Sequence, residues 1–282
     1  MKARTPKTKS TDRPNSQAFY VYCIGELEAL EPLLEAELPE AIESTARLEL
    51  VGEGNLAAVV SAVPRADYGV ERLDTRLADP SWMALRAMRH EKVAEYFASR
   101  TNLVPLRFGA IYLRRQSIRR MLAERRAELL SIIARLRGRE EWGINILRDR
   151  TRAIEALTSL SPKLRGLAKR AAGASPGQAY LVKKKMDAIR IDEASAQAHR
   201  LIGRAERKLK AASDGAVRLR LLKGEVSGES DIAARLAFLV ERTRFKEFRS
   251  VAETLADEYG PLGFRLELTG PWPAYNFAAG KL

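Results

Sequence analysis

Apolar residues in the first half of the chain recur either in short continuous runs or at helical spacing. Residues 18–25 (AFYVYCIG) are aromatic and β-branched and apolar on both faces, which predicts a central strand. A helix is predicted near residues 30–38, where leucines form one stripe and Pro32 fits the first turn. Residues 47–51 and 56–63 (LAAVVSAV) flank the turn sequence GEGN, so they are predicted to form a β-hairpin.

A loop, a long helix and an interrupted strand follow this hairpin. We expect residues 64–80 to be loop and Ser81 to cap a helix that runs to Arg100, whose apolar residues recur at helical spacing. Residues 103–112 (LVPLRFGAIY) predict a strand that a proline and a glycine interrupt. The order strand, helix, strand, strand, helix, strand is the split βαβ, or ferredoxin-like, arrangement. It predicts a four-stranded antiparallel sheet with two helices on one face.

The same order of elements recurs in the second half of the chain. The predicted strands are residues 142–147, 216–222, 235–243 and 263–269, and the predicted helices are residues 151–170, 178–212 and 245–259. A basic helix over residues 114–137 joins the two halves, and Gly138 is well placed to end it. The predicted fold class is therefore α+β, with two ferredoxin-like domains, antiparallel sheets with helices on one face, and long connecting helices.

These elements divide the chain into four segments. Residues 1–17 carry almost no apolar side chains and are predicted to be a disordered basic tail. Residues 18–112 form the predicted N-terminal α+β domain, and residues 113–138 form the connecting helix. Residues 139–282 form the predicted C-terminal ferredoxin-like domain, with inserted helices and a proline- and aromatic-rich tail. A chain of 282 residues is long enough for two domains that each bury a core.

The positive charge of the chain is concentrated in two places. The net charge is +13, from 49 Lys and Arg against 36 Asp and Glu. The tail holds five basic residues and one acidic residue, and residues 163–210 hold thirteen basic and four acidic residues. Together these two segments account for the whole excess. Localised charge of this kind usually serves an acidic partner or a polyanion rather than the fold.

Motifs of known catalytic and metal sites are absent from the sequence. There is no Walker A loop, no GxGxxG after a strand, no HExxH and no GxSxG. With one cysteine and two histidines, a metal site with soft ligands is nearly excluded. His90 is expected to be structural, at a helix flank and hydrogen-bonded to a neighbour, with general base catalysis as the alternative. We therefore expect no catalytic residue, no cofactor and no metal, and a protein that is not an enzyme.

The same composition indicates the compartment. Cys23 lies in an apolar run, which predicts a buried, inert thiol, and a single cysteine fits a reducing cytoplasm. No apolar run approaches the roughly 18–20 residues that span a bilayer. The basic N-terminus also lacks the apolar stretch of a secretory signal.

The first candidate binding segment is the sequence PLRFG. Arg107 lies between Leu106 and Phe108, which places a guanidinium beside apolar side chains, and the glycine allows a close backbone approach. Arg107 and Phe108 are therefore candidate partner-binding residues. The alternative is a bent strand in which Arg107 pairs with a carboxylate at the edge of the core.

Two further segments are candidates for partner binding. In residues 269–277 (TGPWPAYNF) the prolines stiffen the backbone, so Trp272, Tyr275 and Phe277 can either anchor a partner or pack on their own sheet. A run of three lysines lies on the predicted helix 178–212 and suits phosphate groups or an acidic protein surface, unless it is a solvated helix face. Its members are Lys183, Lys184 and Lys185. Because they are consecutive, they fan over most of the helix circumference and cannot all serve one flat contact.

Six segments together resemble the GvpF/GvpL family of gas vesicle proteins. They are FYVYCIG, LAAVVSAV, LVPLRFGAIY, EEWGINIL, QAYLVKKK and LELTGPWPAYNF, in that order along the chain. The similarity covers residues 19–150 and 176–277. It implies two α+β domains, at least one of them ferredoxin-like, and provides no catalytic residues.

This resemblance implies an accessory or minor structural protein of gas vesicle assembly, in the cytoplasm and at the gas vesicle. Its expected partners are the hydrophobic shell protein and other accessory proteins, without a membrane. The alternative is a module that binds single-stranded RNA through a ferredoxin-like sheet and the basic segments. The aromatic and glycine signature of an RNA-recognition motif is absent from the strands, so nucleic acid is the less favoured partner.

Overall fold

The chain divides into two compact units, each of which contains one antiparallel sheet. The computed structural model describes residues 16–69, 72, 75, 76, 78–221 and 230–278. The first unit comprises Met1–Arg137 with Ala278–Leu282, and the second comprises Gly138–Phe277. The predicted basic tail lies outside the described residues except at its last two positions. Parts of the loop predicted before Ser81, and the end of the strand predicted at residues 216–222, also lie outside them.

The first unit holds five described strands and the helices around them. In chain order the strands are β1 (Gln17–Glu26), β2 (Leu48–Glu53), β3 (Leu56–Pro64), β4 (Leu103–Pro105) and β5 (Ile111–Tyr112). The helices are α1 (Leu27–Leu30, followed by a 3-10 turn over Glu31–Glu35), α2 (Arg65–Tyr68), α3 (Pro80–Ala98), α4 (Arg115–Glu124) and α5 (Arg126–Leu136). The sheet order is β2-β3-β1-β4, with β5 also paired to β1, so the first and third strands are neighbours as split βαβ connections require.

Helices cover both faces of this first sheet. Val59 of β3 belongs to a core that includes Val93 of α3. Its neighbour Val60 points to the opposite face and is equally buried, as is Ile118 of α4. Because α4 packs on β2 and β3, and α5 packs on β4, they cover this second face. The segment 113–138, expected as one connecting helix, is therefore part of the first unit's core, and helices are not confined to one face.

Two local features differ from the predictions because of backbone chemistry. The predicted helix 114–137 is two helices, since Arg125 leaves the helical region with φ −104° and ψ 13°. The N-cap of α3 is Asp79 rather than Ser81. The Asp79 carboxylate accepts hydrogen bonds from the backbone N–H groups of Ser81 and Trp82, at 3.0 and 3.2 Å. Pro80 takes the first helical position, where its missing N–H costs nothing.

The second unit has four described strands in the order β7-β8-β6-β9. The strands are β6 (Arg139–Asp149), β7 (Gly215–Leu219), β8 (Ser230–Glu241) and β9 (Phe264–Trp272). The helices are α6 (Arg150–Leu160), α7 (Pro162–Ala172), α8 (Pro176–Ala211) and α9 (Phe245–Tyr259), with short 3-10 turns over Arg242–Arg244 and Gly260–Leu262. All neighbouring strands are antiparallel.

The core of the second unit lies between one face of this sheet and two helices. Ile144 and Phe238 from the sheet pack with Leu209 of α8 and Phe248 of α9. The helix predicted at residues 151–170 is interrupted at Ser161, whose hydroxyl accepts the N–H of Leu164 and caps α7. The long helix predicted at 178–212 is present as α8. Strand β9 continues past its predicted end to Trp272, which its prolines permit because β9 is an edge strand.

Candidate functional site

The candidate residues Arg107 and Phe108 lie in a turn, residues 106–110, whose backbone is fixed to β1. The chain leaves β4 at Pro105 and re-enters the sheet at β5. Hydrogen bonds hold this turn to β1. The Leu106 N–H donates to the carbonyl of Tyr22 (2.9 Å), and the Gly109 N–H donates to the hydroxyl of Tyr20 (3.1 Å). The Val21 N–H in turn donates to the carbonyl of Ala110 (2.8 Å). Gly109 has φ +96°, a conformation that favours glycine. We refer to this segment as the 106–110 turn.

A buried histidine supports the 106–110 turn from below. His90 of α3 is 3% exposed, and its Nδ1 lies 3.0 Å from the Tyr20 hydroxyl oxygen. A further hydrogen bond joins the His90 ring to the backbone of Leu106. This bond raises the pKa of His90, as a bond donated by the ring does, so Nδ1 accepts the proton of the Tyr20 hydroxyl. The ring centroid of Phe108 lies 5.8 Å from that of His90 and 6.0 Å from that of Tyr20.

Burial sets the protonation states in this cluster. It lowers the pKa of His90 to about 4, against a partial rise from the hydrogen bond to Leu106, so the ring is neutral at pH 7. Burial also raises the pKa of Tyr20, and it raises that of Tyr22 to about 12. The Tyr22 hydroxyl lies 2.8 Å from the Ser61 hydroxyl and accepts the Ile42 N–H at 2.7 Å. A neutral, fully bonded polar network therefore lies beneath the turn.

Arg107 is the exposed member of the 106–110 turn. Its side chain makes no hydrogen bond or ion pair with any residue that the structure describes, so the predicted pairing with a core-edge carboxylate is not observed. Phe108, next to it, is half-buried against the core of the first unit. The turn thus presents one guanidinium from a fixed backbone position, and the aromatic neighbour of Arg107 points inward.

The C-terminal segment, Trp272 to Phe277, begins at the end of an edge strand. Trp272 pairs with Glu141 of β6 and is 45% exposed. Its indole N–H donates to the Thr269 hydroxyl at 3.2 Å, which fixes the ring orientation. Tyr275 is half-buried, and its N–H lies 2.6 Å from the carbonyl oxygen of Pro273. Trp272 is therefore the aromatic side chain of this segment that is most available to a partner.

A buried carboxylate holds the remainder of the C-terminal segment to the sheet. Glu141 is 4% exposed and accepts the backbone N–H of Asn276 at 2.9 Å and its side-chain amide at 2.5 Å. Phe277 packs where Gly215 leaves space, since a Cβ on Gly215 would lie 2.9 Å from the Phe277 ring. Phe277 and, in part, Tyr275 therefore pack on their own sheet, whereas one face of the Trp272 ring stays open to solvent.

We expect Asn276→Ala to lower the free energy of unfolding of the second unit by about 1–3 kcal/mol, because one oxygen of the buried Glu141 carboxylate loses its donor. Asn276→Asp should cost more, since it places a second carboxylate beside the first. Urea unfolding followed by Trp142 fluorescence measures both changes. An alanine variant as stable as the parent would show that Glu141 does not hold the segment.

The three lysines of α8 form the third group of candidate residues. Lys183, Lys184 and Lys185 are exposed, and none forms a hydrogen bond or ion pair with a described residue. They lie among other cations of α7 and α8. The structure therefore places the predicted site residues in three places: the 106–110 turn of the first unit, and the C-terminal segment and α8 of the second.

Two residues that support the candidate sites, His90 and Glu141, were not predicted from the sequence to do so. His90 precedes Val93 by three positions and Phe97 by seven, so it shares their buried face and does not lie at a flank. Glu141 follows Glu140 and directly precedes the run WGINIL of β6, so nothing in the sequence marked it as a buried, bonded carboxylate. Within the described part of the chain, no group of three metal-ligating side chains occurs. None of the described helices combines the length and apolar character needed to cross a bilayer.

Comparison with known proteins gives consistent matches over nearly the whole chain. The family model described as "Gas vesicle synthesis protein GvpL/GvpF" matches residues 18–279. Gas vesicle protein L of Streptomyces sp. (strain CB03234) is 29% identical over 231 residues, which is 81% of this chain and 82% of that protein. Gas vesicle protein F of the same strain is 26% identical over 260 residues, which is 92% of this chain and 98% of that protein.

Solved structures show the same fold. The crystal structure of GvpF from Anabaena sp. PCC7120 has a TM-score of 0.65 at 17% identity, covering 95% of this chain and 98% of that one. The crystal structure of GvpF from Microcystis aeruginosa has a TM-score of 0.55 at 18% identity, covering 93% and 99%.

Proposed function

The chain belongs to the GvpL/GvpF family of gas vesicle synthesis proteins, and we propose that it acts in gas vesicle assembly by binding the hydrophobic shell protein and other accessory proteins. The observation that carries this proposal is the 106–110 turn, which presents an exposed Arg107, without a hydrogen bond or ion pair to any described residue, on a backbone fixed by hydrogen bonds. Because the backbone of the turn is already ordered, binding through Arg107 costs the conformational entropy of its side chain and not that of the turn. This role requires a binding surface and no catalysis.

The physical need for such a protein follows from the shell subunit. A subunit built to line a gas space exposes apolar surface in water, and such surface aggregates unless it is covered. Trp272 is suited to cover it, because the indole is 45% exposed and its orientation is fixed by Thr269. Arginine and tryptophan are also the side chains most often found as energetic anchors of protein interfaces. We infer that this contact forms in the cytoplasm, at the growing vesicle.

The alternative role in binding single-stranded RNA receives less support. Base stacking requires aromatic side chains on an open sheet face. Both faces of the first sheet are covered by helices, and Tyr20 and Tyr22 of its central strand are fully buried. Bases therefore have no stacking surface on this sheet.

Replacement of Arg107 or Trp272 by alanine should lower vesicle yield several-fold while leaving the fold intact, because both side chains are exposed and neither supports the core. Electron microscopy of host cells counts the vesicles, and affinity capture of the tagged protein measures the shell protein that it retains. Arg120→Ala is the matched control, since Arg120 is an exposed arginine of the same unit. Normal vesicle number and normal shell-protein capture in both variants would refute the proposed contact.

A further inference from the structure

Helices α7 and α8 form an antiparallel pair with an open cleft between them. The cleft has a volume of about 590 Å³ and is lined mainly by small side chains and the stems of two cations. Its lining includes Ala168, Ala179, Lys183, Met186 and Arg190, together with the carboxylate residue Asp187. Alanine at facing positions leaves room that larger side chains would fill, so the pair is incompletely packed on this side.

The rim of this cleft is strongly positive. Residues 162–190 contain eight Lys and Arg and one acidic residue, Asp187. Asp187 is paired with Arg190, with an Nη1 to Oδ1 distance of 3.1 Å, whereas the Arg190 Nε is buried and has no hydrogen-bond partner among the described residues. Every other cation of this segment lacks an acidic partner within residues 162–190. The charge of this region is therefore not compensated by its own helices.

Apolar side chains near the cleft are exposed as well. Tyr180 and Leu181 are each 66% exposed, and Ile191 is 67% exposed. Tyr180 and Ile191 are eleven residues apart, which brings them to nearly the same side of α8. Of these three, Leu181 lies about 200° around α8 from Ala179 and faces away from the cleft, whereas Tyr180 and Ile191 lie beside its edge. A cleft that combines an apolar lining with positive charge is typical of a groove that receives an amphipathic helix.

We propose that the cleft between α7 and α8 binds an acidic amphipathic helix of a partner protein. The apolar face of that helix lies in the alanine-lined cleft, where small side chains allow a close helix–helix approach. Its acidic residues pair with Lys183 and with the cations on the rim. This site is distinct from the 106–110 turn and from the C-terminal segment, so it does not depend on the proposed function.

Neighbouring lysines distinguish this partner from a nucleic acid. Lys183 lines the cleft, whereas Lys184 is the next residue and projects about 100° away around the helix. A helix seated in the cleft contacts Lys183 and not Lys184. A flexible polyanion contacts all the lysines around the helix, so its affinity depends equally on Lys183 and Lys184.

The test uses the full chain and a labelled synthetic peptide with a leucine stripe on one face and glutamates on the other. We expect the peptide to bind, and its Kd to rise about tenfold for Lys183→Glu but less than threefold for Lys184→Glu, measured by fluorescence anisotropy. A peptide with glutamine in place of glutamate should bind at least tenfold more weakly. Ala168→Leu fills the cleft and should weaken binding about fivefold, whereas Ala188→Leu, on an exposed part of α8 outside the lining, should not.

Three outcomes would overturn the proposal. One is the absence of binding by the glutamate peptide at physiological salt. Another is an equal loss of affinity for Lys183→Glu and Lys184→Glu, together with tight binding of polyuridylate, which would identify a polyanion site. The third is unchanged affinity in Ala168→Leu, which would place the peptide outside the cleft. Circular dichroism confirms that each variant keeps its helices.

Discussion

Acidification from pH 7 to pH 4 should destabilise the first unit by about 3 kcal/mol through His90 alone. Burial lowers the pKa of this imidazole to about 4, while an unfolded histidine titrates near 6.5. Between these values the unfolded chain binds more protons than the folded one, so stability falls as the pH falls. The contribution is fully present above pH 6.5 and is lost progressively toward pH 4.

The variant His90→Gln separates the contribution of His90 from that of the carboxylates, because the carboxylates titrate in both the parent and the variant. Glutamine can still accept from Tyr20 and donate to Leu106, but it carries no charge in this pH range. Hydrogen exchange of the β1 and β3 amides reports the stability of the first unit at each pH. We expect the parent curve to fall more steeply than the variant curve between pH 6.5 and 4. Parallel curves would contradict a buried neutral histidine.

The same measurement bears on function, because His90 and Tyr20 hold the 106–110 turn. Protonation of His90 requires the charged ring to be solvated, which separates it from Tyr20 and removes the support of Gly109. Arg107 would then lose its fixed position before the whole unit unfolds. Because the folded-state pKa of His90 is about 4, shell-protein capture by the parent should weaken as the pH approaches 4, and capture by His90→Gln should change less.

Elements in which apolar residues recur at a regular spacing could be predicted from the local sequence. The β2–β3 hairpin and α8 follow from alternation, turn residues and helical spacing, and both are present. The breaks at Arg125 and Ser161 were not predicted, because the apolar spacing continues across both. Only packing shows that α4 and α5 cover the second face of the first sheet, since an amphipathic helix does not specify which surface it will cover.

The segments that form the candidate sites could be predicted from the sequence, but the spatial arrangement of these segments and their supporting residues could not. The unusual sequences PLRFG and TGPWPAYNF mark the turn and the C-terminal segment directly. Their supports are distant in the chain: Tyr20 lies 89 residues from Gly109, and Glu141 lies 135 residues from Asn276. Contacts of this kind arise from the register of strands and the docking of helices, which no single segment encodes. The cleft between α7 and α8 likewise requires the two helices to be placed side by side.

Replacement of Gly263 by alanine should cost the second unit about 3 kcal/mol or more. Gly263 has φ +80°, and a Cβ there would lie 2.5 Å from the backbone N of Ala153 and 2.9 Å from the carbonyl carbon of Arg152. These atoms belong to the first turn of α6 and cannot rotate away, so strand and helix must separate. The Gly263 carbonyl also accepts the Asp149 N–H at 2.9 Å, which such a separation would break.

Gly260→Ala is the matched control for this substitution. Gly260 has helical angles, φ −52° and ψ −50°, and open space around its Cβ position, so alanine should change stability by no more than about 0.5 kcal/mol. Urea unfolding followed by Trp142 fluorescence compares the two variants. Because Gly263 directly precedes the strand that ends at Trp272, Gly263→Ala should also lower shell-protein capture, whereas Gly260→Ala should not. Equal stability of the two variants would mean that Gly263 does not pack against the first turn of α6 as the structure shows.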